Sequence, residues 1–429
     1  MNNATDNRSP STRIRDMLTG LITGDAAGVP FEGLSREHIK AVFKDSSVYP
    51  DPMPALKNRE ERWNKPGLYS YITRFAIMTS AAAVTKGDPA ENLDRLMRHA
   101  LENNLTTDEA FTGSSHVPAV YMTNLKENKN IPCTAPYVKA AAFALPLAMI
   151  NTGTAALSAM TLRYIRKFTS DSNTAVSALI TVRLLNSIIY HENISPPLPL
   201  SMVTAEELLT WSESAPDDIF GCGFNPGSLN QSILLFRNIL NSIADADSMD
   251  RADKIICDTV NKLHTGSPVT RSVIDRPETL VPFAIYCAGG TIDTDDIDNT
   301  VTSLVKRGGS ASATGALAAA ILHACNGSPE KSAFLDKLVN KTRISALIES
   351  ISAFRMKQDR ITDFLNNETL LLRKENEERS SRMKGRGDDL KKPKKEKPDY
   401  ENLNRHVVES WTKADKAKWK KSGLKSIKQ

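Results

Sequence analysis

The sequence predicts an all-α protein, and three observations predict it. Apolar residues recur at helical spacing from about residue 13 to residue 354, the apolar segments are rich in alanine with short polar or glycine-containing breaks between them, and strand-like alternation is scarce. Ten or so such segments amount to one large helical domain.

The elements follow in order after a polar stretch, residues 1–12, that carries no periodic signal and reads as disordered. In the first helix Ile14, Leu18, Leu21 and Ile22 share one face, and Gly20, Gly24 and Gly28 recur every fourth residue beside it. Such a row weakens a helix, so close approach of another backbone or a ligand site should account for it. Further helices are predicted over 73–84, 138–150, 155–168, 174–190, 229–243, 253–263, 278–288, 298–306 and 313–325. Between residues 191 and 227, several prolines and a Gly-Cys-Gly-Phe-Asn-Pro-Gly stretch predict a long excursion with one short helix near 205–211. One or two helices over 345–378 lead out of the domain, giving boundaries of 13–354 for the body and 355–378 for the helical extension. Residues 379–400 are charge-dense and interrupted by Pro393 and Pro398, the composition of a disordered linker. Residues 401–429 regain amphipathic spacing through Leu403, Val407, Val408, Trp411 and Trp419, enough for one basic helix.

Charge separates these parts. The 429 residues carry 55 Lys+Arg against 50 Asp+Glu, but residues 373–429 alone hold 19 basic and 10 acidic residues. The body is therefore mildly acidic and offers no general attraction to nucleic acid. A polyanion or protein partner falls to the segment 379–429, where Lys391, Lys392, Lys394, Lys395 and Lys397 would meet charge and Trp411 or Trp419 would stack or dock. The longest apolar run, 140–150, is too short to span a bilayer, and the polar start has no signal-peptide core, so a cytoplasmic protein without a membrane partner is expected. Five scattered cysteines, with no CxxC pair, predict buried free thiols. A calcium loop around Asp293, Asp295, Asp296 and Asp298 fails because Ile297 and Leu304 stand at ligand places, and Asp298 reads better as a helix cap.

Chemistry concentrates where the first helix ends. Asp25 and Glu32 flank a glycine-rich exit that could admit a polar ligand; alternatively Asp25 bonds neighbouring backbone and Glu32 is a solvated loop residue. Gly20, Gly24, Asp25, Ala26, Gly28, Pro30 and Glu32 match each fixed place of the pattern G-x-x-x-G-D-A-x-G-x-P-x-E. Pro66, Gly67, Ser70, Tyr71, Ile72 and Thr73 follow at the place of a P-G-x-W-T-D-D-T motif, and Pro146-Leu147 at that of an M-R-x-x-P-L helix. Glu278, Thr279 and Leu280 lie where V-x-E-T-L-x-A stands, and Gly308, Gly309, Ser310, Ser312 and Thr314 where G-G-D-x-D-T precedes a Gly/Ala-rich helix. Through this ordered set, residues 13–340 resemble the ADP-ribosylglycohydrolase family, named after the dinitrogenase reductase-activating glycohydrolase.

The resemblance implies an all-α orthogonal helical domain and a hydrolase of ADP-ribose linkages that holds one or two Mg²⁺ or Mn²⁺ ions with carboxylates of the T-D-D-T and D-x-D-T motifs. Here Tyr71 and Ile72 replace the first pair and Ser310 and Ser312 the second. Hard divalent cations need charged oxygen ligands, so no metal cofactor is expected. Tyr137, Val138 and Lys139 replace a G-N-G turn, Phe143 an arginine, and Thr169-Ser170 a Thr-His pair, placing bulky groups near the ligand position. Glu32, with Asp25 beside it, is the catalytic candidate that remains, and Ser70, Tyr71, Ile72, Thr73, Ser310, Ser312 and Thr314 outline a degenerate pocket for ADP-ribose or a related ligand. The resulting expectation is a pseudoenzyme acting as a binding or scaffold protein. Two alternatives stay open: an active glycohydrolase removing ADP-ribose or a related glycosyl group, and a nucleic-acid-associated protein working through its tail.

Overall fold

The computed structural model describes residues 8–43, 49–51, 65–112, 115–191, 196–263, 268–289, 297–329 and 332–391. Among these residues every regular element is helical, and extended backbone pairs in an isolated bridge between Cys133 and Thr169. The first half of the chain forms α1 (Pro10–Gly28), α2 (Arg36–Val42), α3 (Tyr71–Val84), α4 (Pro89–Glu102), α5 (Asp108–Thr112), α6 (His116–Glu127), α7 (Lys139–Ala144), α8 (Thr154–Arg166) and α9 (Ser172–Tyr190). The second half adds α10 (Pro197–Ser214), α11 (Pro216–Gly221), α12 (Pro226–Ile243), α13 (Met249–Leu263), α14 (Pro277–Gly289) and α15 (Ile297–Val305). It closes with α16 (Ala311–Asn326), α17 (Ala333–Asp336), α18 (Lys341–Ser352) and α19 (Gln358–Lys391).

The glycine row of α1 explains the centre of this arrangement. A Cβ placed on Gly20, Gly24 or Gly28 would lie 2.2, 2.1 or 2.3 Å from the carbonyl oxygen of Ala319, Gly315 or Ala311 respectively. Rising positions on α1 meet falling positions on α16, so the two helices run antiparallel with their backbones in direct contact. Side chains of ordinary size would hold the axes about 8–10 Å apart. The row is therefore a packing device, and it fixes the C-terminal end of α1 beside the N-terminal end of α16.

α3, α9, α14 and α16 are buried on nearly every face, as their alanine-rich and aliphatic sequences require. Among the described residues one helix, α9, is long and apolar enough to cross a membrane, and 78% of its apolar window is buried inside the protein. The short helix predicted near 205–211 is the second half of a longer one, the 18-residue α10, whose Leu198, Ala205, Leu208, Leu209 and Trp211 are buried. Pro197 and Pro199 sit in its first turn, where a proline lacks only an amide that would be unpaired anyway. α4 and α6 carry no sequence prediction; α4 is strongly amphipathic, burying Leu93, Met97 and Ala100 beneath a charged face. Asp298 lies in the first turn of α15, at the helix start the sequence gives it, and its Oδ2 also accepts from the Ala333 amide at 2.9 Å, at the start of α17. Asp293, Asp295 and Asp296 lie outside the described residues.

The chain divides into two compact units, residues 1–376 and 377–429. Within the first, α19 lays Ile361, Phe364, Leu365, Glu368 and Leu372 against the body, a stripe at helical spacing. Its helical backbone runs to Lys391, past the residue 378 at which the sequence places its end. No proline interrupts 379–391. The side chain of Lys391, together with Lys392, Lys394, Lys395, Lys397, Trp411 and Trp419, lies outside the described residues.

Candidate functional site

Asp25 leaves the end of α1 pointing at the start of α3. Its Oδ2 accepts from the amides of Ser70 at 2.9 Å and Thr73 at 3.1 Å and from the Thr73 hydroxyl at 2.7 Å. Its Oδ1 accepts from the Ser70 hydroxyl at 2.7 Å, and Ser70 Oγ in turn accepts from the Ile72 amide at 3.0 Å. Asp25 thus reinforces the Ser70 cap of α3, using one carboxylate for amides the helix leaves unpaired. It is fully buried, and burial pushes its carboxyl up to about 6 against the pull of these donors.

Glu32 performs the matching task at α16. Ser310 stands at the N-cap of that helix but makes no side-chain capping bond, and Glu32 Oε2 accepts from the Ser312 amide at 2.8 Å instead. The turn before it depends on glycine: Gly308 and Gly309 have φ of 78° and 65°, and a Cβ on either would lie within 2.1 Å of the Leu34 or Val273 carbonyl oxygen. Ser310 and Ser312 are buried, the Ser310 hydroxyl has no hydrogen-bond partner, and Thr314 donates back to the Ser310 carbonyl at 2.9 Å.

Lys139 joins the two caps. Its Nζ lies 2.7 Å from Glu32 Oε1 and donates to the Tyr71 hydroxyl at 3.1 Å, with the ammonium 5.3 Å from the centre of the Tyr71 ring. The Tyr71 hydroxyl also meets Ser115 Oγ at 2.6 Å and the Tyr137 hydroxyl at 2.9 Å. Burial is the largest single influence and pulls Lys139 down, but the Glu32 carboxylate together with the Tyr71 and Tyr137 hydroxyls outweighs it and holds the ammonium well above its ordinary value. Asp275 lies at the rim. The residue as a whole is exposed, yet the protein around its carboxyl raises it by desolvation, opposed by Lys139 and assisted by Glu32. Behind this network Phe143 is fully buried, stacked on Phe75 at 4.5 Å and edge-on to Tyr71 at 6.2 Å and Tyr137 at 6.0 Å.

The structure therefore brings Asp25 together with Ser70 and Thr73, and Glu32 together with Ser312. Ile72 turns away into the core at 0% exposure and offers no donor atom. Asp25 already receives four protein donors, and Glu32 is shared between an ammonium and an amide. This donor set does not fit a hard divalent cation, which would need several carboxylate oxygens turned toward one point. The sequence did not single out Ser115 or Asp275, and it marked Lys139 and Tyr137 only as bulk. The available signal was a lysine opening a helix, where the dipole disfavours a cation unless an acid stands opposite.

A model of the ADP-ribosylglycohydrolase family matches residues 6–360. No curated protein matches the chain. Among solved structures, an ADP-ribosylglycohydrolase-related protein complex is similar at 15% identity and a TM-score of 0.46, over 81% of this chain and 99% of that one. With the family pattern running through both caps and the helices that carry them, this chain belongs to the ADP-ribosylglycohydrolase family.

Proposed function

We propose that this chain is a non-hydrolytic member of its family, a binding or scaffold protein that works without a metal cofactor. The observation that carries this reading is the contact between Lys139 and Glu32: the acid at the catalytic place is neutralised by an ammonium 2.7 Å away and spends its other oxygen on the Ser312 amide. A general acid or base needs a proton it can exchange with substrate, and both oxygens of Glu32 face protein donors. Tyr71 and Tyr137 fill the neighbouring space, so ADP-ribose or a related ligand would meet the rim of this network rather than its interior.

The test is release of ADP-ribose from N-linked and O-linked ADP-ribosylated protein in Mg²⁺ or Mn²⁺. The expected result is no release above that of the Glu32→Gln variant. Release that Glu32→Gln abolishes restores the family's hydrolase activity to this chain and overturns the proposal.

The excess of basic over acidic residues in 373–429, 19 against 10, supports a second contact with a polyanion or an acidic protein partner. A cytoplasmic setting suits both contacts. Retention of the full chain on DNA, RNA and heparin should weaken with salt and disappear when residues 392–429 are deleted; retention that survives the deletion removes the tail from this role.

A further inference from the structure

We propose that α19 is a strap on the candidate site: through Glu368 it holds the first turn of α3 from a second side, so that Tyr71 is placed jointly by α1 and by the C-terminal extension, and loosening α19 loosens the site. The inference goes beyond the non-hydrolytic reading and does not depend on it.

Two sets of contacts interleave over residues 69–74. The inner pair, Ser70 and Thr73, gives its amides and hydroxyls to Asp25. The outer pair turns to Glu368: the Tyr69 hydroxyl donates to Oε1 at 2.5 Å and Arg74 Nε to Oε2 at 2.6 Å. Both acids are 0% exposed. Thr73 and Arg74 are successive residues of α3 and project about 100° apart, so the acids grip one turn on different sides. Tyr71 lies inside this grip, and its hydroxyl is where Lys139, Ser115 and Tyr137 meet.

The second acid comes from outside the family match, which ends at residue 360. α19 carries Glu368 in a buried stripe with Ile361, Phe364, Leu365 and Leu372, and the Thr369 hydroxyl donates to the Leu105 carbonyl at 3.1 Å. The extension therefore reaches the turn that bears positions 71 and 72, and its seating can be altered without touching a residue of the site.

Arg74 is the link. Its guanidinium is buried, with Nε on Glu368, Nη1 on the Ala110 carbonyl and Nη2 without a hydrogen-bond partner. A buried cation that loses its carboxylate is driven toward water. Arg74 is 1% exposed, so it reaches water only by disturbing the packing around the first turn of α3. Loss of the Glu368 contact is thereby passed to the amides that Asp25 holds and to Tyr71.

The experiment is native-state hydrogen exchange on the full chain carrying Glu368→Gln. The Ser70 and Thr73 amides bond Asp25, yet their protection should fall about tenfold or more beyond any fall at the Ala318 and Ala319 amides within α16. Leu372→Ala, which loosens α19 while both acids stay, should give the same pattern. In urea unfolding, Glu368→Gln and Tyr71→Phe should be non-additive by about fivefold or more in the folding equilibrium constant. A fall in protection shared equally by the α3 and α16 amides, or additive changes in urea, makes α19 a helix that only adds overall stability and overturns the proposal. If Glu368→Gln does not accumulate as folded protein, Leu372→Ala replaces it in both measurements. Neither readout involves ADP-ribose release, so this inference and the non-hydrolytic reading fail independently.

Discussion

Gly24 of α1 and Gly315 of α16 face each other backbone to backbone: a Cβ on Gly24 would lie 2.1 Å from the Gly315 oxygen, and one on Gly315 would lie 2.2 Å from the Gly24 oxygen. Neither contact can be relieved by turning a side chain, so a methyl group at either position must push two helices apart. Overpacking of this kind costs about 1–3 kcal/mol, and a clash with backbone belongs at or above the upper end. Gly24→Ala and Gly315→Ala should each lower stability by about 3 kcal/mol or more in urea unfolding. Gly221→Ala, where nothing lies within 4 Å, is the control and should stay within about 0.5 kcal/mol of the wild type. Equal effects at positions 24 and 221 would contradict the close contact.

Asp25 supplies the acceptors for the Ser70 and Thr73 amides and for both hydroxyls. Removing it leaves buried donors without partners and weakens the cap of α3. Asp25→Ala should therefore cost about 2–4 kcal/mol and speed hydrogen exchange at the Ser70 and Thr73 amides. Unchanged exchange at those amides would mean that Ser70 alone caps the helix.

Much of this was legible in the sequence, for physical reasons. A glycine every fourth residue in α1 has few uses other than close packing, and Asp25 and Glu32 stand out because carboxylates at a helix exit need donors. What stayed hidden depends on distance along the chain. Lys139 finds Glu32 across more than a hundred residues, and Glu368 of α19 finds Arg74 and Tyr69 across nearly three hundred. Periodicity reports which face of a helix is buried but not which helix it meets. The proline-rich start of α10 hid its first turns for a related reason: prolines in a first turn resemble a loop until the buried residues that follow are seen to pack.

The contact made by α19 rests on that unforeseen pair. Arg74 Nε lies 2.6 Å from Glu368 Oε2, Tyr69 donates to Glu368 Oε1 at 2.5 Å, and the Arg74 guanidinium also donates to the Ala110 carbonyl. The two charged side chains are only 2% and 0% exposed, so losing the acid strands a guanidinium out of water. Glu368→Ala should cost about 3–5 kcal/mol, whereas Arg74→Met combined with Glu368→Leu should recover most of that loss. A double-mutant cycle in urea checks it, and additive losses would show that the two residues do not act as a pair.

Asp25 and His323 make opposite contributions to the dependence of stability on pH. Asp25 is raised by burial from 3.8 to about 6, so between these values the folded chain keeps a proton that the unfolded chain has released, and stability falls as pH rises. His323, fully buried on α16, is lowered by burial from 6.5 to about 4; there the unfolded chain holds the extra proton, and stability falls as pH drops. Each contribution is on the order of 3 kcal/mol across its window, and between about pH 4 and 6 the two nearly cancel. Asp25→Asn removes the first, so relative to the wild type its stability should decline on acidification from about pH 6 to 4. His323→Asn removes the second, so its stability relative to the wild type should decline as pH rises through the same range, while its amide can still reach the Ser328 hydroxyl that His323 Nδ1 meets at 3.1 Å. Urea midpoints at constant ionic strength across this range check both slopes. Slopes of the same sign in the two variants would mean that one of these buried groups titrates as it does in water.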